Sequence, residues 1–295
     1  MDSMKRVAFL TMDSLADFVC YDHLAIPPLA QLGWSVSEVS WHSRNVNWNQ
    51  FEAVVIRSPW DYQSQSEAFL QTLEEIASST ILLNSLEIVR WNIRKTYLRD
   101  LQERGISIVP TRWFDTFGQL NPETIHDDLE TDEIVVKPLI GANADFAYRL
   151  IRDRTTSNWQ AAEGHYQSRP FLAQPFVRSI QTTGEISLFY FAGQYSHAIL
   201  KMPAAGDFRV QEEHGGQLQA WEPETDFRKL ADEVMCQLPE RTLYARVDLV
   251  RLDSGPPAVM EVELIEPSLY FPYDPDSPAR FANAFARMME NISTP

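Results

Sequence analysis

Two glutamates spaced i and i+2, Glu261 and Glu263, stand in an otherwise apolar run, VMEVELIEPSLYF at residues 259–271, with Glu266 three positions further on. In a strand this spacing projects both carboxylates from one face, their Cα atoms roughly 6.5–7 Å apart. An ionised carboxylate in a dry interior costs several kcal/mol unless a cation or a set of donors meets it. The run therefore asks for a partner. Asp248, in ARVDLV, belongs to a strand expected to pair with this one, so it can face the two glutamates across a hairpin. Three hard oxygen ligands of this kind suit magnesium. Spacing alone fits a solvated strand face equally well.

Positive charge that could answer these acids comes from earlier in the chain. Lys137 ends the apolar stretch EIVV just before Pro138, and Lys95 lies between Arg94 and Thr96 in a helical stretch. Either can hold a phosphate as a point charge. Taken singly, Lys95 is a surface helix residue and Lys137 a snorkelling one. Gln174, Phe176 and Val177 close the strand FLAQPFV, and Glu185 follows after Gly184. A planar base can hydrogen-bond the first group and a ribose can meet the carboxylate. Arg57, beside Pro59-Trp60-Asp61 at the carboxyl end of a strand, can clamp a substrate carboxylate bidentately or pair with Asp61. Trp60, Tyr62, Tyr270 and Phe271 are candidates for the pocket wall.

The elements that must position these residues follow from periodicity. KRVAFLT, WSVSEVSW, FEAVVIRS and ILLN are strands that alternate with the helical stretches HLAIPPLAQLG and QSEAFLQTLEEIASS. That alternation predicts an open parallel α/β sheet over residues 1–84. SLEIVRWNIRKTYLRDLQERG predicts one helix ended by Gly105. ISIVPTRWF, DEIVVKPLI and FLAQPFV are strands, IRDRTTSNWQAAEGHY is helical, and EISLFYFAGQYSHAILKMP is a hairpin turning at Ala192-Gly193-Gln194. TDFRKLADEVMCQLP is a helix, a second hairpin turns at Asp253-Ser254-Gly255, and SPARFANAFARMMENI closes the chain as a helix. A boundary near residue 85 follows from the change to antiparallel pairs.

The totals exclude several function classes. The chain has 295 residues, 44% hydrophobic and 22% charged, which is ordinary for a globular protein with a large core. Its 41 acidic and 25 basic residues give a formal charge of -16, which repels nucleic acid and offers nothing polybasic to anionic lipid. No segment is long and apolar enough for a membrane span. Cys20 and Cys236 fit no metal or redox spacing and are expected to be two buried free thiols in a reducing cytoplasm. The histidines lack zinc spacing, and no G-x-S-x-G elbow, G-x-G-x-x-G turn or P-loop sequence is present.

In combination and order, the helix lysine, the VVKP lysine, the LAQPFV hinge, the Gly184-Glu185 pair and an Asp followed by E-x-E resemble the ATP-grasp superfamily over most of the chain. The resemblance implies an α/β amino-terminal domain (1–84), a linker helix with a small ATP-binding lobe (85–178) and a large α+β lobe (179–295), the two lobes clasping ATP. It implies phosphate contacts from Lys95 and Lys137, adenine contacts from Gln174, Phe176 and Val177, a ribose contact from Glu185, and magnesium on Asp248, Glu261 and Glu263. The stretch FAGQYSHAILKMPAAGDFRVQEEHGG resembles glutathione synthetases and related peptide-type ligases. That likeness implies catalytic positions for Lys201 and Arg209, where a cation stabilises charge growing on the transferring phosphoryl group. Gly215-Gly216, adjacent glycines beside this stretch, would let backbone approach the substrate.

Two features depart from the superfamily pattern. The loop after Lys137, LIGANADFAYR, holds a single glycine where the pattern is glycine-rich, and Glu263 stands where Asn is frequent. IEPSLYF and RSPWDY resemble a smaller group that includes the synthetase forming D-cycloserine from O-ureido-D-serine. The implied activity is a magnesium-requiring, ATP-dependent carboxylate–amine ligase that forms an acyl phosphate on a small amino-acid-like substrate and releases ADP, with cyclisation and homo-oligomerisation left open. A nucleotide-binding regulator or a small-molecule kinase on the same fold are the alternatives.

Overall fold

A computed structural model of the chain describes residues 4–154 and 157–293. The first sheet has β1 (Lys5–Thr11) at its centre, parallel to β2 (Trp34–Ser40) and β3 (Ala53–Ser58), with β4 (Ile81–Leu83) beside β3. Every residue of β3 is buried, as a parallel strand covered on both faces requires. The crossovers include α1 (Ile26–Gln31), ended at Gly33 with φ +83°, and α2 (Ser66–Ser79). These elements match the sequence expectation.

After α3 (Leu86–Asn92) and α4 (Tyr97–Glu103) the chain builds a small antiparallel sheet. It contains β5 (Arg112–Phe114), the short α5 (Ile125–Asp128), β6 (Glu133–Pro138), β7 (Tyr148–Ile151), α6 (Ser157–Tyr166) and β8 (Phe171–Pro175), with strand order β5-β8-β6-β7. This sheet closes its own core around Ile134, Val136, Trp159, Tyr166 and Phe171. Then come α7 (Ser179–Thr182), β9 (Glu185–Phe191), β10 (Gln194–Met202), β11 (Gln217–Ala220), α8 (Thr225–Gln237), β12 (Tyr244–Arg251), β13 (Pro257–Glu263) and α9 (Ser277–Ser293). The large sheet is antiparallel, in the order β11-β10-β9-β12-β13. Ala192 and Gly193, at φ 48° and 76°, make the two-residue turn of its first hairpin.

The large sheet and the amino-terminal sheet are not independent. One apolar cluster joins Val7, Phe9 and Val55 to Phe189, Phe191, Phe281 and Phe285, so α9 seals both sheets into a common core.

The free edge of β13 explains why the expected helix over residues 85–105 is broken. Past a single backbone bridge at Val259, side chains rather than another strand meet that edge. The Val262 amide donates to the Tyr97 hydroxyl (2.9 Å), Asn92 Nδ2 donates to the Val262 carbonyl (2.8 Å), and the Leu264 amide donates to Asn92 Oδ1 (2.9 Å). Asn84 Nδ2 donates to the Leu264 carbonyl (2.7 Å). Asn92 and Tyr97 can both reach the edge only if the helix stops between them, and this leaves Lys95 on the break rather than on a helix face. Capping an edge with side chains also removes an unpaired ladder from solvent.

Other sequence expectations need correction. ISIVPTRWF is divided: Ile108 bridges Val259 at the same β13 edge, whereas Arg112–Phe114 joins the small sheet. The helix expected from Ile151 begins at Ser157; Ile151 ends β7, and Thr155 and Thr156 lie outside the described residues. Cys20 is half-buried and Cys236 exposed, so the two thiols are not a buried pair.

Candidate active site

A cavity opens between the small and large sheets, and it collects most of the residues singled out above. Lys95, Lys137, Lys201 and Arg209 line it, as do Gln174, Phe176, Val177 and Glu185, and Asp248, Glu261 and Glu263. Strand alternation and register bring them together. Asp248 is directly opposite Glu261, and Arg246 opposite Glu263, across the β12–β13 ladder. Between Asp248 and Leu249 the register slips, leaving Met260 as an extra residue. Met260 turns its sulfur into the cavity, where Lys137 Nζ contacts it at 3.2 Å.

The acids and cations of the cavity satisfy one another. Arg246 donates to Asp248 Oδ2 at 2.8 Å and also to Glu263, Lys95 pairs with Glu261, and Lys201 Nζ lies 3.2 Å from Glu185 and 3.5 Å from Asp248. Burial alone would raise the Asp248 carboxyl, but Arg246 and Lys201 outweigh it and hold Asp248 below the usual range. For Glu185 burial prevails over Lys201, and the carboxyl is raised. Burial likewise lifts Glu263 to about 7 against the pull of Arg246. Lys137 has no carboxylate within ion-pair distance among the described residues, and burial lowers its pKa.

At the other end of the cavity the hinge is partly committed. Gln174 Nε2 donates to Thr111 Oγ1 (3.1 Å), while Gln174 Oε1 is buried with no hydrogen-bond partner among the described residues. The Phe176 amide already donates to the Glu133 carbonyl (2.8 Å), and its ring lies under the Arg149 guanidinium at 3.8 Å. The segment after β6 also lines the cavity; Asn143, Ala144 and Phe146 hold φ values of 54°, 56° and 57° there. These non-glycine residues carry the left-handed backbone in place of the missing glycines. His214 Nε2 contacts the Asn143 carbonyl at 3.0 Å, tying this segment to the loop after β10.

Three expected residues are not at the cavity. Arg57 is 1% exposed and committed to structure: it donates to Asp22 Oδ1 (2.8 Å) and to the Pro267 carbonyl (2.9 Å), over the Tyr244 ring at 4.9 Å. Its partner is Asp22, not Asp61, which instead meets His42 and Trp41. Gly215 and Gly216 shape their own loop. A Cβ on Gly216 would lie 2.1 Å from the Val210 carbonyl oxygen, so the close approach is to protein backbone rather than to a substrate. Arg209 lines the cavity, but its guanidinium is held by Asp207 at 2.7 Å. Of the candidate wall residues, Trp60 and Tyr270 line the cavity, whereas Tyr62 and Phe271 are core.

Several further residues line the cavity. Arg246 had a usable signal, since it sits two residues before Asp248 and must share its strand face. Phe18, Val19 and Ser268 arrive through loops and gave none, while Glu266 stood out only as an acid in an apolar run.

Among the described residues no three acidic, histidine or cysteine side chains form a ready metal-ligand group. The donor chemistry nevertheless fits a hard divalent cation: three carboxylates gather on the adjacent strands β12 and β13, and the groups now meeting Glu261 and Glu263 are a long lysine and an arginine that a cation can replace.

Comparison with known proteins identifies the fold and the family. Residues 7–84 match the D-cycloserine synthetase DcsG amino-terminal domain, and residues 119–268 match the ATP-grasp domain of prokaryotic glutathione synthetase. The chain is 32% identical to the cycloserine biosynthesis protein DcsG of Streptomyces lavendulae, over 95% of this chain and 98% of that one. The crystal structure of D-cycloserine synthetase DcsG superposes with a TM-score of 0.82 at 30% identity, covering 96% of this chain and 99% of the other. The ATP complex of D-alanine–D-alanine ligase from Bacillus anthracis, at 15% identity and a TM-score of 0.68 over 98% of each chain, shares the fold. The chain belongs to the ATP-grasp family and is an ATP-dependent ligase carrying the DcsG type of amino-terminal domain.

Proposed function

We propose that this ligase phosphorylates the carboxylate of a small amino-acid-like substrate and lets a nitrogen nucleophile displace the phosphate. In the first step the substrate carboxylate attacks the γ-phosphorus of ATP, the bond to the bridging oxygen breaks, and ADP leaves as the acyl phosphate forms. In the second, nitrogen attacks the acyl carbon, the bond to the phosphate oxygen breaks, inorganic phosphate leaves, and the nitrogen loses a proton. The likeness to D-cycloserine synthetase favours a nucleophile within the same substrate, and hence ring closure.

The observation that carries this proposal is the convergence of Lys95, Lys137, Lys201 and Arg246 with Asp248, Glu261 and Glu263 in one cavity between two sheets. Phosphoryl transfer needs positioning and charge compensation more than a protein nucleophile, and this cavity offers both signs of charge on rigid strands. Lys95 and Lys137 hold phosphates, Lys201 and Arg209 face the transferring group, and Arg209 reaches it by leaving Asp207. Gln174 Oε1 and Val177 take the adenine, and Glu185 the ribose. Asp248, Glu261 and Glu263 would hold magnesium, whose charge offsets that of the triphosphate when bound. The carboxyl substrate occupies the end of the cavity walled by Trp60, Ser268 and Tyr270. On this reading the chain divides into units at 1–84, 85–178 and 179–295, built around the amino-terminal, small and large sheets.

Hydroxylamine tests the chemistry. With ATP, magnesium, a carboxylate substrate and hydroxylamine, an acyl phosphate yields a hydroxamate in step with ADP. A stable phosphate ester would make the protein a kinase, and the absence of both products would make it a regulator.

A further inference from the structure

Glu266 is the buried acid that neither the fold nor the chemistry above employs. It is 8% exposed and lines the cavity beside Trp60, Phe18 and Ser268. The other buried carboxylates of the described residues have cationic partners: Asp22 has Arg57, Glu185 has Lys201, and Asp248 has Arg246. Glu266 has no such ion pair among the described residues. Its donors are neutral, the Gln63 carboxamide at 3.4 Å and the Tyr62 hydroxyl. Its backbone is nevertheless fixed from the amino-terminal sheet, because Trp60 Nε1 donates to the Glu266 carbonyl (2.8 Å) and Arg57 to the next carbonyl, Pro267. A buried carboxyl in the wall of a cavity, on a main chain fixed by hydrogen bonds and with no cationic partner among the described residues, is built to receive a cation. The apolar surface next to it, where Trp60 and Phe18 lie with ring centroids 5.4 Å apart, suits an organic cation better than a hydrated metal.

We propose that Glu266 binds the ammonium group of the amino-acid-like substrate and so selects carboxylates that carry an amine. This rests on the ligase activity proposed above. It places amine recognition at the seam between the amino-terminal sheet and the large sheet, on the loop that follows the E-x-E strand.

The test measures ADP release at saturating ATP by the wild type, Glu266→Gln and Glu266→Asp. The probes are O-ureido-D-serine, D-serine and D-alanine, each beside its desamino counterpart: 3-(ureidooxy)propanoate, 3-hydroxypropanoate and propanoate. KM for the amine-bearing acids is expected to rise about 100-fold in the Gln variant, as for loss of one partner from a buried hydrogen-bonded charge pair. The rise should be smaller in the Asp variant, which keeps the charge and guards against misfolding of the amide. KM for ATP and for the desamino acids should stay within about twofold, a split that loss of structure alone would not produce. Equal losses on amine and desamino acids would overturn the role of Glu266 and leave the ligase activity standing. A wild type that releases no ADP with any of the six acids overturns both.

Discussion

Charge is handled differently on the two sides of β13. Toward the amino-terminal sheet, Arg57 and Asp22 form a closed unit: the guanidinium is shared between Asp22 and the Pro267 carbonyl, and both residues are buried. Toward the cavity, the partners are provisional. Glu261 takes a lysine from a broken helix, Arg246 divides itself between Asp248 and Glu263, Lys137 rests against a thioether sulfur, and among the described residues Glu266 has only neutral donors. A buried ion completed by protein atoms holds a fold together. One completed only in part, at comparable burial, is prepared for something that arrives later.

The largest expected effect lies on the provisional side. Glu261→Gln should lower ADP formation by about a thousandfold or more while leaving the melting temperature nearly unchanged, since it removes charge compensation without removing volume. ADP assays beside thermal melts would check this, and turnover near the wild-type rate at saturating magnesium would break the comparison at its functional end.

Next in size is the closed unit. Arg57→Ala leaves Asp22 buried and unpaired, and should cost about 3–5 kcal/mol of stability. Denaturant unfolding measures the loss, and below the transition the surviving folded enzyme should keep its substrate KM. A raised KM at unchanged stability would instead move Arg57 into the substrate site, where its position at the end of a parallel strand first suggested it.

The smallest effect sharpens the contrast through pH. Burial and the nearby Glu263 charge push the Glu266 carboxyl up to about 8, from an ordinary value of 4.5. Lys95 and Glu261 act on it from the neighbouring elements, the first lowering and the second raising it. Between these values the unfolded chain has lost the proton and the folded chain retains it, so this group favours folding less and less as pH rises, and the penalty is complete above about 8. Glu266→Gln lacks that penalty. Without ligands, its melting temperature should gain on the wild type by about 5 °C between pH 5 and pH 8.5. A difference that does not move with pH would show that the carboxyl is already ionised in the unliganded protein.

Much of this was legible in sequence because strand alternation has a fixed period. Once ARVDLV and VMEVE are taken as a hairpin, Asp248, Glu261 and Glu263 must share a face, and Arg246 with them. What could not be read depends on contacts between distant segments. The helix through Lys95 breaks because Asn92 and Tyr97 are drawn to an edge some 170 positions later, at Val262. Arg57 is spoken for by Asp22 in a loop that shows no periodicity, and β7 is too short, at four residues, to stand out from the loop before it. Glu266 was visible as an oddity from the outset, but that among the described residues it alone of the buried acids goes without a cation emerges only when the sheets are assembled.

The segment between β6 and β7 has a kinetic corollary. Alanine and phenylalanine hold left-handed torsions there that glycine would adopt freely, and the Gly141 position is hemmed by Pro138, whose Cγ would meet an added Cβ at 2.7 Å. On the function proposed above, a stretch so confined before nucleotide arrives would surrender little further disorder on covering the phosphates, so gating should be a motion of the small sheet as a body rather than the folding of a slack flap.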